Sequence, residues 1–193
     1  MKVLVACESS GRVAAAFRNR GHNAISCDLE PCEYGPGQAF HYQGDVGPLL
    51  SRSWDLIIAH PPCTRLRNSG VRWLAERDLW DDLATAAQFF NMFKGAAPRV
   101  CIENPIPHKH ARKLIGAYTQ VIQPWQFWTG PFGAGESKAT CLWLEGLPKL
   151  VPTTPSEIGR HQACWLMSPG PERTRARSRT YPGIAKAMAE QWG

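Results

Sequence analysis

Cys63, Glu103 and three further carboxylates, Glu8, Asp28 and Asp45, are the side chains whose types and places suit joint chemistry. Cys63 closes the run Asp55-Leu-Ile-Ile-Ala-His-Pro-Pro-Cys63. The apolar residues Leu56 to Ala59 suit a short strand buried on both faces. Pro61 and Pro62 stop it, because neither can donate to a ladder. The thiol therefore stands on a stiff turn at the carboxyl edge of a sheet, where open α/β sheets bind their ligands. There it is a candidate nucleophile. The same place also suits a structural cysteine, since free Cys is among the most buried residue types. Arg99-Val-Cys-Ile-Glu-Asn-Pro105 repeats the design: a short apolar strand ends in Glu103 and Asn104 and is locked by Pro105.

The elements that position these groups follow from the pattern around them. Lys2 to Cys7 reads as a buried strand, Glu8-Ser-Ser-Gly11 as a turn, and Arg12 to Arg20 as a short helix that Gly21 ends. Asn23 to Asp28 is a second strand, finishing in a carboxylate. This βαβ unit suits a nucleoside-bearing cofactor: backbone at Glu8, Ser9, Ser10 and Gly11 approaches it, and Asp28 accepts from ribose hydroxyls. The turn holds one glycine rather than the dinucleotide Gly-x-Gly-x-x-Gly, and Asp28 would equally cap a loop. Residues 29–44 read as a connecting loop, Val46 to Leu50 as a short helix, and Thr64 to Gly70 as a mobile loop. Val71 to Phe93 has helical periodicity, its aromatics facing a core. Val121 to Pro124 and Lys138 to Leu144 read as strands, and Pro182 to Trp192 as a helix with proline near its start. Residues 145–180 are rich in Pro and Arg with little periodicity. Within them Arg173, Arg175, Arg177 and Arg179 alternate; if the segment is extended, they form one basic row able to lie on phosphates.

Composition sets the outer limits. The 193 residues, 44% hydrophobic and 20% charged, suit one well-cored domain. No apolar run approaches the roughly 20 residues that span a bilayer, so no membrane partner is expected. Seven cysteines without paired short spacings argue against a disulfide framework and for the reducing cytoplasm. Residues 1–108 hold 11 Lys/Arg and 11 Asp/Glu, and residues 109–193 hold 11 against 5, so the whole +6 excess lies in the second half. That asymmetry fits an acidic-polymer partner such as nucleic acid; a merely solubilising surface would share it.

At Pro61-Pro62-Cys63 and Glu103-Asn104 the chain resembles the C5-cytosine DNA methyltransferases, whose catalytic Pro-Cys and Glu-Asn motifs occur in this order after a cofactor-binding βαβ unit. It is most similar to the very short, often phage-borne members, which share text like His-Pro-Pro-Cys-Thr, Lys-x-Thr-Cys-Leu-Trp-Leu and Pro-Gly-Ile-Ala-Lys-Ala-Met-Ala-Glu-Gln-Trp. The resemblance implies a Rossmann-like S-adenosylmethionine-dependent methyltransferase fold, α/β with a mostly parallel sheet and flanking helices. Residues 1–193 would be a single catalytic domain, with 145–180 an irregular basic insert in place of a full target-recognition domain. It also implies roles. C5 of cytosine is a poor nucleophile until a thiolate adds at C6, so Cys63 would be the nucleophile. Glu103 would meet N3 and offset the charge that attack places on the ring, held by Asn104 and Pro105. S-adenosylmethionine would lie across Glu8, Ser9, Ser10, Gly11 and Pro61, with Asp28 on its ribose and Asp45 on its adenine amino group. Lys138 stands where members place an arginine near the base. The partner would be DNA, duplex or single-stranded, with no metal. Departures are His60, where the family usually has glycine, Thr64, where glutamine is common, and the small size of 145–180. Because a cytosine must leave the stack to be reached, single-stranded DNA, RNA or a nucleotide are alternative substrates.

Other classes fit less well. Cytidine deaminases need Pro-Cys-x-x-Cys, and Thr64, Arg65 and Leu66 follow Cys63 instead. Amino-methyltransferases place an aromatic after Pro-Pro, where this chain has Cys63. His161-x-x-Cys164 is one ligand pair and cannot close a four-ligand zinc site. A non-catalytic nucleic-acid-binding protein on a decayed methyltransferase fold is the remaining alternative.

Overall fold

Apolar runs that do not alternate must be covered on both faces, and the computed structural model covers them so. It describes residues 1–33, 35–130, 134–154, 159–168 and 170–193; for residues 36, 37, 134, 164, 165, 171, 172, 174 and 175 it describes the backbone alone. The strands are β1 (Lys2–Ala6), β2 (Asn23–Asp28), β3 (His41–Gln43), β4 (Leu56–Ala59), β5 (Val100–Pro105), β6 (Gln120–Ile122), β7 (Ala134–Glu136), β8 (Thr140–Glu145) and β9 (Gly159–His161). The helices are α1 (Arg12–Arg18), α2 (Gly47–Leu50), α3 (Arg72–Glu76), α4 (Trp80–Asn91), α5 (Lys109–Ile115), α6 (Ala163–Leu166), α7 (Pro171–Ser178) and α8 (Pro182–Trp192).

Seven strands form one sheet in the order β3-β2-β1-β4-β5-β8-β6. β1 to β5 pair parallel, and β8 runs antiparallel to both β5 and β6. This is a Rossmann-like α/β sheet. Val3, Val5, Leu56 and Ile58 face one layer, where α1 supplies Val13 and Phe17 and α8 supplies Ile184, Met188 and Trp192. Leu4, Ala6, Ile57 and Ala59 face the other, against Leu83, Ala87 and Phe90 of α4 and Ala111 and Ile115 of α5. α8 can sit this close only because residue 183 is glycine: a Cβ there would lie 1.5 Å from the Phe127 carbonyl oxygen.

Four local expectations change. Residues 71–93 are two helices, because Asp78 takes a left-handed conformation (φ 47°) and breaks the ladder between α3 and α4. Leu74 and Leu83 still reach one core, which is why the apolar period runs on across the break. Residues 29–44 hold a 3-10 turn at Gly35–Phe40 and the edge strand β3. Thr64 to Gly70 is tied down: Leu66 is fully buried, its carbonyl accepts from the His108 N–H at 3.1 Å, and Asn68 N–H donates to Ile106 at 3.1 Å. Residues 145–180 are not wholly irregular, for they contain β9, α6 and α7. β9 pairs parallel with β7 in a separate two-stranded sheet.

Candidate active site

β1 leads on one side to β2 and β3, and β4 leads on the other to β5, so the strand order reverses between β1 and β4. A crevice opens at the carboxyl ends of two strands that diverge in this way. The β4 ladder extends one residue further, with His60 N–H donating to the Ala6 carbonyl at 2.9 Å. Cys7 and His60 therefore flank the crevice, and both line a cavity of about 300 Å³. Cys63, Arg67, Glu103 and Lys138 line it too, and the segment 177–181, from the end of α7 to the start of α8, forms a further wall.

The two proline-locked strand ends are joined to one another. Asn104, 1% exposed, donates from Nδ2 to the Pro61 carbonyl at 2.8 Å. That bond ties the Pro-Pro-Cys turn to the strand bearing Glu103. Beyond Cys63 the chain wraps one turn, with Leu66 and Arg67 N–H both donating to the Cys63 carbonyl. Leu66 enters the core and Arg67 returns toward the thiol, its Nε buried and without a hydrogen-bond partner. His108 holds this turn from the N-cap of α5. Its Nδ1 accepts from Ala111 N–H at 3.0 Å as a helix cap, which leaves Nε2–H to donate to the Arg65 carbonyl at 2.8 Å.

Electrostatics in the cavity oppose each other. Burial pushes the Cys63 thiol pKa up, Arg67 and Lys138 draw it down, Glu103 raises it, and the net shift is upward. Burial would raise the Glu103 carboxyl as well. The hydrogen bond and charge of His60, the Thr140 hydroxyl and Lys138 outweigh it, so Glu103 stays ionised below the usual carboxylate range. His60 Nδ1 lies 3.1 Å from Glu103 Oε2, and Thr140 donates to Oε1. Burial lowers the His60 pKa, but Glu103 and Glu8 outweigh it and hold the ring above its ordinary value.

Of the expected site residues, Cys63, Glu103, Lys138, Pro61, Arg177 and Arg179 line this cavity, whereas Glu8, Ser9, Ser10, Gly11, Asp28, Asp45 and Arg173 do not. Lys138, just before β8, donates from Nζ to the Arg177 carbonyl and stands 5.7 Å from the Tyr181 ring centroid. Glu8, 4% exposed, accepts from Val13 and Ala14 N–H at 2.6 and 3.2 Å and from the Ser10 hydroxyl, so its carboxylate caps α1. The Ser9 carbonyl accepts from Glu33 N–H, and Gly11 enters α1 at φ 66°. Asp28 and Asp45 each accept one turn N–H, from Glu30 and Gly47, through Oδ1. Cys7 lies between these elements, its thiol pushed up to about 12 by burial, then by Asp28, Cys27 and Asp45.

The arginine row does not form. Arg173 to Arg177 lie on a helix, where alternate residues point apart and Arg173 and Arg177 share a face; Pro171 at its start favours that helix. Arg179, beyond its end, pairs with Glu33 at 2.6 Å. Arg177 and Arg179 line the cavity, and the side chain of Arg175 lies outside the described residues. Sequence reasoning did not reach Cys7, Arg67, Thr140 or Tyr181. Only Thr140 carried a signal, as the residue opening an alternating strand. His161 pairs with Glu136 at 2.9 Å. Among the described residues no cluster of His, Cys, Asp and Glu is arranged to hold a metal ion, and no helix is long and apolar enough to cross a membrane.

No protein-family model matches the chain, and no curated protein matches it. Solved structures similar to it include the bifunctional kinase-methyltransferase WbdD, at 12% identity and TM-score 0.42 over 79% of this chain and 36% of that one. S. pombe Dnmt2 methyltransferase is 15% identical at TM-score 0.43, over 77% and 52%. A TehB-like SAM-dependent methyltransferase from Corynebacterium glutamicum is 17% identical at TM-score 0.40, over 75% and 79%. The chain thus spans well under two thirds of the first two. Likeness this loose carries no argument about activity. The fold rests on the strand order.

Proposed function

We propose that the chain is an S-adenosylmethionine-dependent methyltransferase acting on C5 of cytosine in DNA through a covalent bond from Cys63. One observation carries the reading: the buried Asn104–Pro61 hydrogen bond, which fixes the Cys63 turn and Glu103 on one cavity although 40 positions separate them in sequence. A structural cysteine would have no need of a carboxylate held opposite it in a solvent-reachable cavity.

Two aspartates outside the cavity lining, near enough to Cys7 to act on its thiol, fit the cofactor. Asp28 and Asp45 each have one oxygen engaged by a turn N–H and retain lone pairs for hydroxyl and amino donors. Asp28 would hold the ribose and Asp45 the adenine amino group, and bound S-adenosylmethionine supplies a methyl group as electrophile. Glu8 acts at one remove, by holding α1 and its entry turn.

This chain's own residues do the rest. The half-buried Cys63 thiol is kept neutral at rest, and Arg67 and Lys138 favour the thiolate as the target ring enters and excludes water. Addition at C6 makes C5 enamine-like, and Glu103 meets N3. Arg177 and Arg179 at the cavity wall favour a polyanionic strand over a neutral substrate.

DNA carrying 5-fluorocytosine tests this. With S-adenosylmethionine present, wild-type protein is expected to form a denaturant-stable adduct, duplex and single-stranded DNA being compared side by side, and Cys63→Ala none. An adduct that survives Cys63→Ala would falsify the assignment.

A further inference from the structure

His60 stands between two carboxylates, and the methyl-transfer chemistry above leaves it without a task. Its side chain is 9% exposed, Nδ1 is 3.1 Å from Glu103 Oε2, and Nε2 is buried with no hydrogen-bond partner. Glu103 alone therefore anchors the ring by hydrogen bond. We infer that His60 is a positioning residue that supplies, through Glu103, the proton taken up at N3 of the target cytosine. The inference rests on the reading of the site as a C5-cytosine methyltransferase.

The need for such a group follows from donors and acceptors. N3 of neutral cytosine is an acceptor, and an ionised carboxylate is acceptor-only, so Glu103 cannot hydrogen-bond N3 until it gains a proton. Thr140 donates to Oε1, which stabilises the ionised form and supplies no proton at ordinary pH. The Lys138 Nζ is engaged by the Arg177 carbonyl. The imidazolium Nδ1–H is one hydrogen bond from Oε2 and already directed at it. In the step, the Cys63 sulfur bonds C6, the C5=C6 pair moves to C4=C5, and the C4=N3 pair moves onto N3. N3 takes a proton from Glu103, which takes the Nδ1 proton of His60. The thiol proton passes to a departing water as the target ring enters. His60 ends neutral and Glu103 as the carboxylate. Loss of the C5 proton to a water and of the thiolate from C6 then restores the ring, while N3 returns its proton through Glu103 to His60.

The charges facing His60 come from several elements. Glu103 on β5 and Glu8 in the turn after β1 favour the imidazolium; burial and Lys138, before β8, oppose it. Cys7, Cys63 and Arg67, with Arg177, Arg179 and Tyr181 of the far wall, line the same cavity. Protonated His60 is lost as pH rises through its elevated pKa, so adduct formation has an alkaline limb belonging to His60.

The test is the rate of adduct formation on 5-fluorocytosine DNA from about pH 5 to about pH 9, for wild type, His60→Gln and His60→Asn. The amides keep a hydrogen-bond donor but cannot release a proton. Both variants are expected to lose the alkaline limb and to slow by about a hundredfold at neutral pH, with DNA affinity unchanged. Absence of an adduct in wild type overturns the methyl-transfer reading and the inference with it. An adduct in wild type with wild-type rate and pH profile in His60→Gln overturns the inference alone. Should both variants unfold, NMR titration of the wild-type imidazole decides, and a His60 that titrates below the ordinary value of 6.5 overturns it.

Discussion

Glu103 and His60 form one part-buried ion pair whose two pKa values shift in opposite directions, and stability must follow. Glu103 has a depressed pKa, so its contribution is present above the ordinary value of 4.5 and is lost as pH falls through the lower folded value. His60 has a raised pKa, so its contribution is present below 6.5 and is lost as pH rises through the higher folded value. Both are in full force between those two ordinary values. Denaturant midpoints measured across pH should show a maximum in that window, and Glu103→Gln should flatten it. A second expectation concerns the cofactor. Asp28→Ala should weaken S-adenosylmethionine binding by about 1–3 kcal/mol, the worth of a hydrogen bond to a charged group; unchanged affinity by calorimetry in a folded variant would remove Asp28 from the site. The strand ends bearing Cys63, Glu103 and Asp28 were legible in the sequence because an apolar run halted by proline or a carboxylate has few other readings. The partner of His60 was not. It lies 43 positions away, and only the β4–β5 register brings the two together.

At the level of elements, the sheet was easier to read than what surrounds it. β2 and β4 fall where the apolar runs predict, since strands covered on both faces carry their burial in composition alone. The α3–α4 break escaped because the apolar period continues through Asp78, and a left-handed non-glycine residue announces itself weakly. α7 was misread because alternating arginines mimic a strand face, whereas the backbone follows Pro171 and helix-tolerant residues. The turn after Cys63 was taken for a mobile loop because its anchor, His108, lies on another element. His108→Ala removes a helix cap and takes away the partner of the part-buried Arg65 carbonyl. It should lower stability by about 1–3 kcal/mol and speed amide exchange at Leu66 and Arg67. Exchange unchanged at those two amides would show that the turn holds itself.

Across the whole molecule, the basic second half does not spread evenly. Lys138 of the loop before β8, and Arg177 and Arg179 at the end of α7, converge on the wall opposite Cys63. Arg173 and Arg177 are the pair that α7 sets on one face, so they, rather than four alternating arginines, are placed to follow a backbone. Arg173→Gln/Arg177→Gln should flatten the dependence of log affinity on log salt by about 1.8 for duplex or about 1.4 for single strands if both contact phosphate. Superimposable slopes would move the contact to Lys109, Arg112 and Lys113 of α5.

The packing of α8 on α1 also bears on how the chain is made. β1 is synthesised well before α8, yet one of its faces, Val3 and Val5, is closed by Ile184, Met188 and Trp192. Arg99 reinforces the closure with a hydrogen bond to the Trp192 carbonyl at 3.1 Å. Until residues 182–192 have left the ribosome, the nascent sheet carries an open apolar face beside the unpaired edge of a growing sheet. Such a species invites chaperone capture and aggregation. Slow translation of residues 146–192, between β8 and the end of α8, should lengthen the exposed interval and lower soluble yield.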